Sequence, residues 1–173
     1  VGKRITFDLS QEGIDKALRE VEVYKKDFSK KWETFCQRVA ERMRDRAQQG
    51  FIGAIVDDVL PQSGGPRLAN VSVDLQMGDD VMLIIAQGED AVWVEFGSGV
   101  YHNGMVGSSP NPYGSKIGFT IGSYGTKGKQ PAWGFYEDGE LKLTRGTPAQ
   151  MPLYRAVESV LSDLDTIARE VFG

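Results

Sequence analysis

Few side chains in this sequence could support nucleophilic or metal chemistry. There is one histidine, His102, and one cysteine, Cys36. A Cys–His nucleophilic pair needs thiol and imidazole in contact, with a third group to orient the base. Cys36 stands beside Phe35 inside a long amphipathic stretch, where a free cysteine acts as a small apolar filler. His102 stands in a polar, glycine-rich run. One histidine and one cysteine so far apart match no zinc-ligand spacing, so neither a metal nor a cofactor is expected. The carboxylates fall in adjacent pairs: Asp57–Asp58, Asp79–Asp80, Glu89–Asp90 and Glu137–Asp138. Adjacent acids in loops are usually solvated turn residues. An acid/base site needs two carboxylates about 5–10 Å apart across a cleft.

Glu95 is the acid that stands out. It ends an apolar segment and precedes Phe96-Gly97-Ser98-Gly99. It reads either as a structured ion pair at an interface or as the solvent-facing alternate position of a strand. The Gly97-Ser98-Gly99 run has no following Lys-Ser/Thr and no helix start, so it is not a phosphate loop. Lys116, Lys127 and Lys129, interleaved with Tyr101, Tyr113 and Tyr124, have the residue types of a nucleic-acid contact. Three lysines release few counterions, so DNA binding through them would be weak at physiological salt.

The elements that must position these residues follow from periodicity. Residues 3–9 alternate, with Ile5, Phe7 and Leu9 on one face, as a strand does. Ser10 suits a helix N-cap, with Glu12 and Asp15 in the first turns behind it. From Ile14 to Met43 the apolar positions Ile14, Leu18, Val21, Tyr24, Phe28, Trp32, Phe35, Val39 and Met43 take eight steps over 29 residues, about 3.6 each. This predicts one helix, or two nearly collinear ones, ending at Gly50, with Gly13 or residues 27–29 as the place for a break. Such a stripe needs a sheet, a helix or another subunit to cover it.

Residues 51–60 fit a short helix or a strand. Residues 70–77 and 80–87 read as a hairpin turning at Gly78–Asp79. Residues 90–96 read as a strand or a short helix. Residues 96–136 contain no Asp or Glu and ten glycines, a long loop of the kind that serves a function. An Asp138–Gly139 turn between Phe135/Tyr136 and Leu141/Leu143 predicts a second hairpin. Pro152 suits the first position of a last helix, with Leu153, Val157, Val160, Leu161, Leu164, Ala168, Val171 and Phe172 on its apolar face and Arg155 on the wet one. The predicted class is α+β: a long N-terminal helix and a C-terminal helix packed on a small antiparallel β-sheet, in a single domain over 1–173 with an extended glycine-rich loop over 97–131.

Composition sets the outer bounds. At 173 residues the chain can bury a core without staples. Its net charge of -4 argues against a dedicated nucleic-acid binder. The charge is uneven: residues 1–50 hold 12 Lys+Arg against 9 Asp+Glu (+3), and residues 51–173 hold 8 against 15 (-7). That asymmetry can orient partners. A single cysteine excludes an intrachain disulfide and suits a reducing compartment. No apolar run reaches the length of a membrane span, and VGKRITFDLS lacks the apolar core of a signal peptide.

Taken in order, SQEGIDKALREVEVYKKDFSKKWETFCQRVAER, GEDAVWVEFGSG and RGTPAQMPLYRAV resemble the tail-component proteins of long-tailed phages and prophages, the tail-completion or head–tail joining family. In that family a charged N-terminal helix precedes a small sheet. An apolar-Glu-aromatic-Gly-Thr/Ser motif follows, here Val94-Glu95-Phe96-Gly97-Ser98. A Gln-Pro-aromatic-apolar-Arg-Pro-Ala motif starts the last helix, here Gln150-Met151-Pro152-Leu153-Tyr154-Arg155-Ala156. Met151 intervenes between Gln and Pro, Leu153 and Tyr154 reverse the usual order, and no second proline precedes Ala156.

The resemblance implies a virion structural protein rather than an enzyme. It would be a six-fold ring subunit at the neck, completing the tail and joining the tail tube protein to the head connector. DNA in the lumen would be touched weakly at most, and no membrane is involved. The expected interface residues are Glu95, Phe96, Gly97, Lys116, Lys127, Lys129 and Arg155, with the 97–131 loop reaching a neighbour. The alternatives are a head-closure or adaptor protein of the neck, a small hydrolase using Glu95, His102 and Asp90, and a nucleic-acid contact protein using the three lysines.

Overall fold

The computed structural model describes residues 4–78, 81–98, 109–117 and 132–173. Its element order is α1 (Gln11–Phe51), β1 (Ser72–Met77), β2 (Met82–Gln87), α2 (Ala91–Phe96), β3 (Trp133–Glu137), β4 (Glu140–Thr144) and α3 (Pro152–Phe172). The α+β class is as expected. In place of one small sheet there are two separate two-stranded antiparallel sheets, β1–β2 and β3–β4.

α1 is one unbroken helix, about 60 Å long at 1.5 Å per residue. Ser10 caps it: its Oγ accepts from Gly13 N–H at 3.0 Å. Asp8 in turn accepts from Ser10 N–H at 2.8 Å and from the Ser10 hydroxyl. Gly13 does not break the helix. A Cβ there would run into the Asp8 carboxylate, so the glycine makes room for the cap. The alternating residues before it form no strand; residues 4–8 have no regular structure. Alternation alone does not make a strand when no neighbour completes its ladder.

α3 lies antiparallel along the second half of α1. At one end Gly50 meets Pro152, and a Cβ on Gly50 would come within 2.7 Å of the proline Cβ. At the other end the Phe172 ring sits 5.8 Å from Phe28 and 5.9 Å from Phe35. Between them, Arg46 reaches Ser159 and Asp163, Arg42 binds both Glu170 oxygens at 3.0 and 2.8 Å, and Arg38 adds a contact at 3.3 Å. These pairs are partly exposed, so they fix register more than they add stability. α1 continues past Phe172, and its residues from Gln11 to about Asp27 extend beyond the end of α3.

Isolated two-stranded hairpins are marginal in water. Here each is held by the rest of the chain. Gln48 of α1 imitates a strand: its Oε1 accepts from Val73 N–H at 2.7 Å and its Nε2 donates to Val71 O at 3.2 Å. Residues 51–60, which suited either helix or strand, are mostly irregular after the last turn of α1. They pair through bridges Ile55↔Leu68 and Val59↔Thr144, with Leu60 N–H donating to Leu143 O at 2.8 Å. The second hairpin turns as predicted. Asp138 (φ 53°) and Gly139 (φ 82°) are both left-handed, as a type I′ turn requires. The first hairpin is also as predicted in its strands; Asp79 of its turn lies outside the described residues.

The core is built from small side chains. Ala47, Phe51, Ala54, Val56, Val73, Ala91, Val94 and Ala156 pack together where α1, β1, α2 and α3 meet. On α3 the buried residues are Pro152, Ala156, Val160 and Ile167. Val157, expected to anchor the helix on the sheet, is 40% exposed, and Leu161 is 51% exposed. Eight apolar residues span too wide an arc for one core, and these two fall on its flank.

Candidate functional site

Residues 91–96 are helical, so Glu95 is not a strand-end acid. The short α2 turns it inward, and it is 3% exposed. Both carboxylate oxygens are occupied. Oε2 accepts from Leu153 N–H at 2.8 Å, and Oε1 from Tyr154 N–H at 3.0 Å and Asn111 Nδ2 at 2.9 Å. Leu153 and Tyr154 lie in the first turn of α3, whose own N-cap, Met151, makes no side-chain cap. A helix start offers unpaired N–H groups and partial positive charge, both suited to a carboxylate. Glu95 therefore caps α3 from a distant point in the chain. Burial pushes its carboxyl above the ordinary 4.5, while the hydrogen bonds from Leu153, Tyr154 and Asn111 and the charge of Arg155 pull it down.

The segments around this contact interlock. Val94 O accepts from Gln150 N–H at 2.8 Å and Met151 N–H at 3.3 Å, a geometry reached with Met151 left-handed at φ 54°. Gln150 also imitates a strand: its Nε2 donates to Ile55 O at 2.8 Å and its Oε1 accepts from Ile55 N–H at 3.2 Å. Ser98 N–H donates to Thr147 O at 2.8 Å, and Thr147 N–H donates to Ser98 Oγ at 3.0 Å. Gly97, with φ 77°, closes α2 by donating to Trp93 O at 2.6 Å. Residues 94–98 and 147–154 thus form a single junction.

Beside this junction lies an apolar groove of about 480 Å³ between α2 and the first turns of α3. Val92, Phe96, Tyr113, Leu153, Val157 and Leu161 line it, with Glu158 at its charged side. Tyr113 meets Tyr154 edge-on at 6.2 Å, and the Lys116 ammonium stands 5.0 Å from the Tyr113 ring centroid, a cation–π contact.

The expected interface residues separate into groups. Glu95 and Gly97 are buried within the subunit, so Glu95 is not an exposed strand position. Phe96 is half-buried in the groove wall, Arg155 is exposed, and Lys116 borders the groove through Tyr113. Lys127, Lys129 and His102 lie outside the described residues, as does most of the 97–131 loop. Asp90, the other acid of the hydrolase alternative, is 8% exposed. It accepts from both ends of the Arg67 guanidinium, at 3.2 and 3.1 Å, and from Asn70 N–H at 3.2 Å. Asn111 and Gln48 had no local signal in the sequence, because their partners lie far along the chain.

Among the described residues no three His, Cys, Asp or Glu side chains are grouped to hold a metal ion, and no helix is long and apolar enough to cross a membrane. Compared with known proteins, the chain matches no family model, no curated protein and no solved structure.

Proposed function

We propose that this protein is a structural subunit of a phage neck, a tail-completion or head–tail joining protein that works as a closed ring between tail tube and head connector. The observation that carries the reading is the junction. The two segments that resemble the family's motifs lie far apart in the chain and pack on each other around Glu95. A motif whose acid caps the last helix has a structural reason to recur as a set. The acids of the junction also favour a structural role. Glu95 and Asp90 already accept hydrogen bonds from groups of the subunit itself, which weighs against the hydrolase reading. The long α1, with its half-exposed Leu18, Val21, Phe28 and Trp32, offers the apolar surface an assembling subunit needs.

Native mass spectrometry over a range of concentrations, with antibody labelling of phage particles that carry the gene, tests this. A six-fold species and label at the head–tail junction are expected. A monomer at every concentration, together with unlabelled necks, would end the reading.

A further inference from the structure

Among the exposed apolar residues, two groups form surfaces that differ in shape. The first starts in the part of α1 that extends past α3 and ends at Phe28 and Trp32, beside the last turn of α3. Ile14, Leu18, Val21, Lys25, Phe28 and Trp32 follow one another in steps of four and three, which places them on one helix face. Leu18, Val21, Phe28 and Trp32 are 48–58% exposed. The stripe prolongs the face on which α3 lies, since Phe28 and Phe35 share Phe172. The second surface is the groove, where Val92, Tyr113, Val157 and Leu161 are 40–55% exposed.

The surfaces sit at opposite ends of the α1–α3 pair. The groove is at the start of α3 and the stripe lies toward and beyond its other end, with about 16 Å of helix, from Leu161 to Phe172, between them. Because α1 is unbroken, a subunit cannot turn its own stripe back into its own groove. A second copy can supply it. Two unlike surfaces that join head to tail make a heterologous contact, which closes into a ring when the rotation allows.

Charge also selects this pairing. Lys25 is the one charged residue within the stripe. The acids of the groove lining are Glu158 and Glu95, whose oxygens are taken, and the Lys116 ammonium borders the groove at Tyr113. Neither Lys25 nor Glu158 has an ion pair among the described residues. The halves that carry them have opposite net charge, +3 for residues 1–50 and -7 for residues 51–173. A two-fold antiparallel pairing of the free ends through this stripe, centred near residues 19–20, would instead set Asp15 beside Glu22, a like-charge pair on the flank of the stripe. From Leu153 to Leu161 the groove runs about 12 Å along α3, enough for the Val21–Lys25–Phe28 portion of the stripe.

We infer that the exposed stripe of α1 on one subunit seats in the α2–α3 groove of the next copy, with Lys25 against Glu158. This deepens the ring reading and rests on it. The test uses Cys36→Ser subunits carrying either Val21→Cys or Leu161→Cys, mixed and mildly oxidised, with folding checked by circular dichroism. A disulfide joining the two kinds of subunit is expected at least tenfold in excess of either homodimer. Lys25→Glu should lower the assembled fraction at least tenfold, and Glu158→Lys in the same chain should restore it. Prevalence of the Val21→Cys homodimer would establish the two-fold pairing and overturn the inference. Assembly in native mass spectra without the mixed disulfide would overturn it while the ring reading stands. A monomer at every concentration would remove both.

Discussion

Replacing Glu95 by alanine takes the acceptor from three donors at once. Leu153 N–H and Tyr154 N–H lose the cap of α3, and Asn111 Nδ2 loses its partner. A donor left unpaired in the interior costs about 1–3 kcal/mol, and a helix cap alone is worth about 1 kcal/mol. Leu153 and Tyr154 are half-buried, so water can relieve part of the loss. The sum is about 3 kcal/mol, which for a domain of this size lowers the melting temperature by roughly 6–12 °C. Glu95→Gln keeps the shape but turns a donor toward a donor, at a cost of about 1–2 kcal/mol.

The glutamine variant also isolates the titration. Burial raises the folded carboxyl above 4.5, so the native state binds this proton more tightly than the unfolded chain. That contribution is complete below 4.5 and is lost as pH rises through the folded value. The wild-type advantage over Glu95→Gln should therefore be largest in acid and shrink toward neutrality. Thermal melts of the three proteins across pH, with hydrogen exchange at Leu153 and Tyr154, measure both effects. If the alanine variant melts with the wild type and its first-turn amides stay protected, the cap is not what secures α3.

Gly50→Ala should destabilise the fold by about 1–3 kcal/mol in urea titrations, because its Cβ would press on Pro152. It should do so despite the roughly 0.5–1 kcal/mol that alanine normally gains over glycine within a helix. Asp90→Ala should cost about 2 kcal/mol, since Asn70 N–H and the Arg67 guanidinium lose a buried acceptor. The midpoint should fall with an unchanged denaturant slope. Val157→Asp should lower stability by less than about 1 kcal/mol, because this side chain is 40% exposed. Its effect should show in native mass spectra as lost assembly, and insoluble protein would instead return Val157 to the core.

The sequence reveals the elements whose causes are local. The period from Ile14 to Met43, the Ser10 cap, Pro152 at a helix start and the Asp138–Gly139 turn each act within a few residues, and each appears where it was read. What could not be read depends on distant partners. α2 is six residues of mostly β-branched and aromatic type, and only its packing makes it helical. Glu95 caps a helix that begins 57 positions later, counting from 95 to 152. Gln48 and Gln150 substitute for strand backbone by reaching segments that no periodicity connects to them. The strand expected at 3–9 fails for the converse reason over the described residues 4–9, since its alternation is real and no described segment pairs with it.

The distribution of side-chain sizes ties folding to encounter. Apart from Phe51 and Ile167, the buried hydrophobics among the described residues are alanines and valines, while Leu18, Phe28, Trp32 and Leu161 stay about half in water. Much of the free energy that a domain usually draws from burying its largest residues is left unspent in a lone copy. Whatever covers those residues then acts as a ligand of the native state, and its concentration enters the folding equilibrium directly. Dilute, newly made chains would be the vulnerable population, exposed to proteases and to mispairing until those residues are covered. Abundance would then decide how much of the protein is native as well as how much of it is assembled.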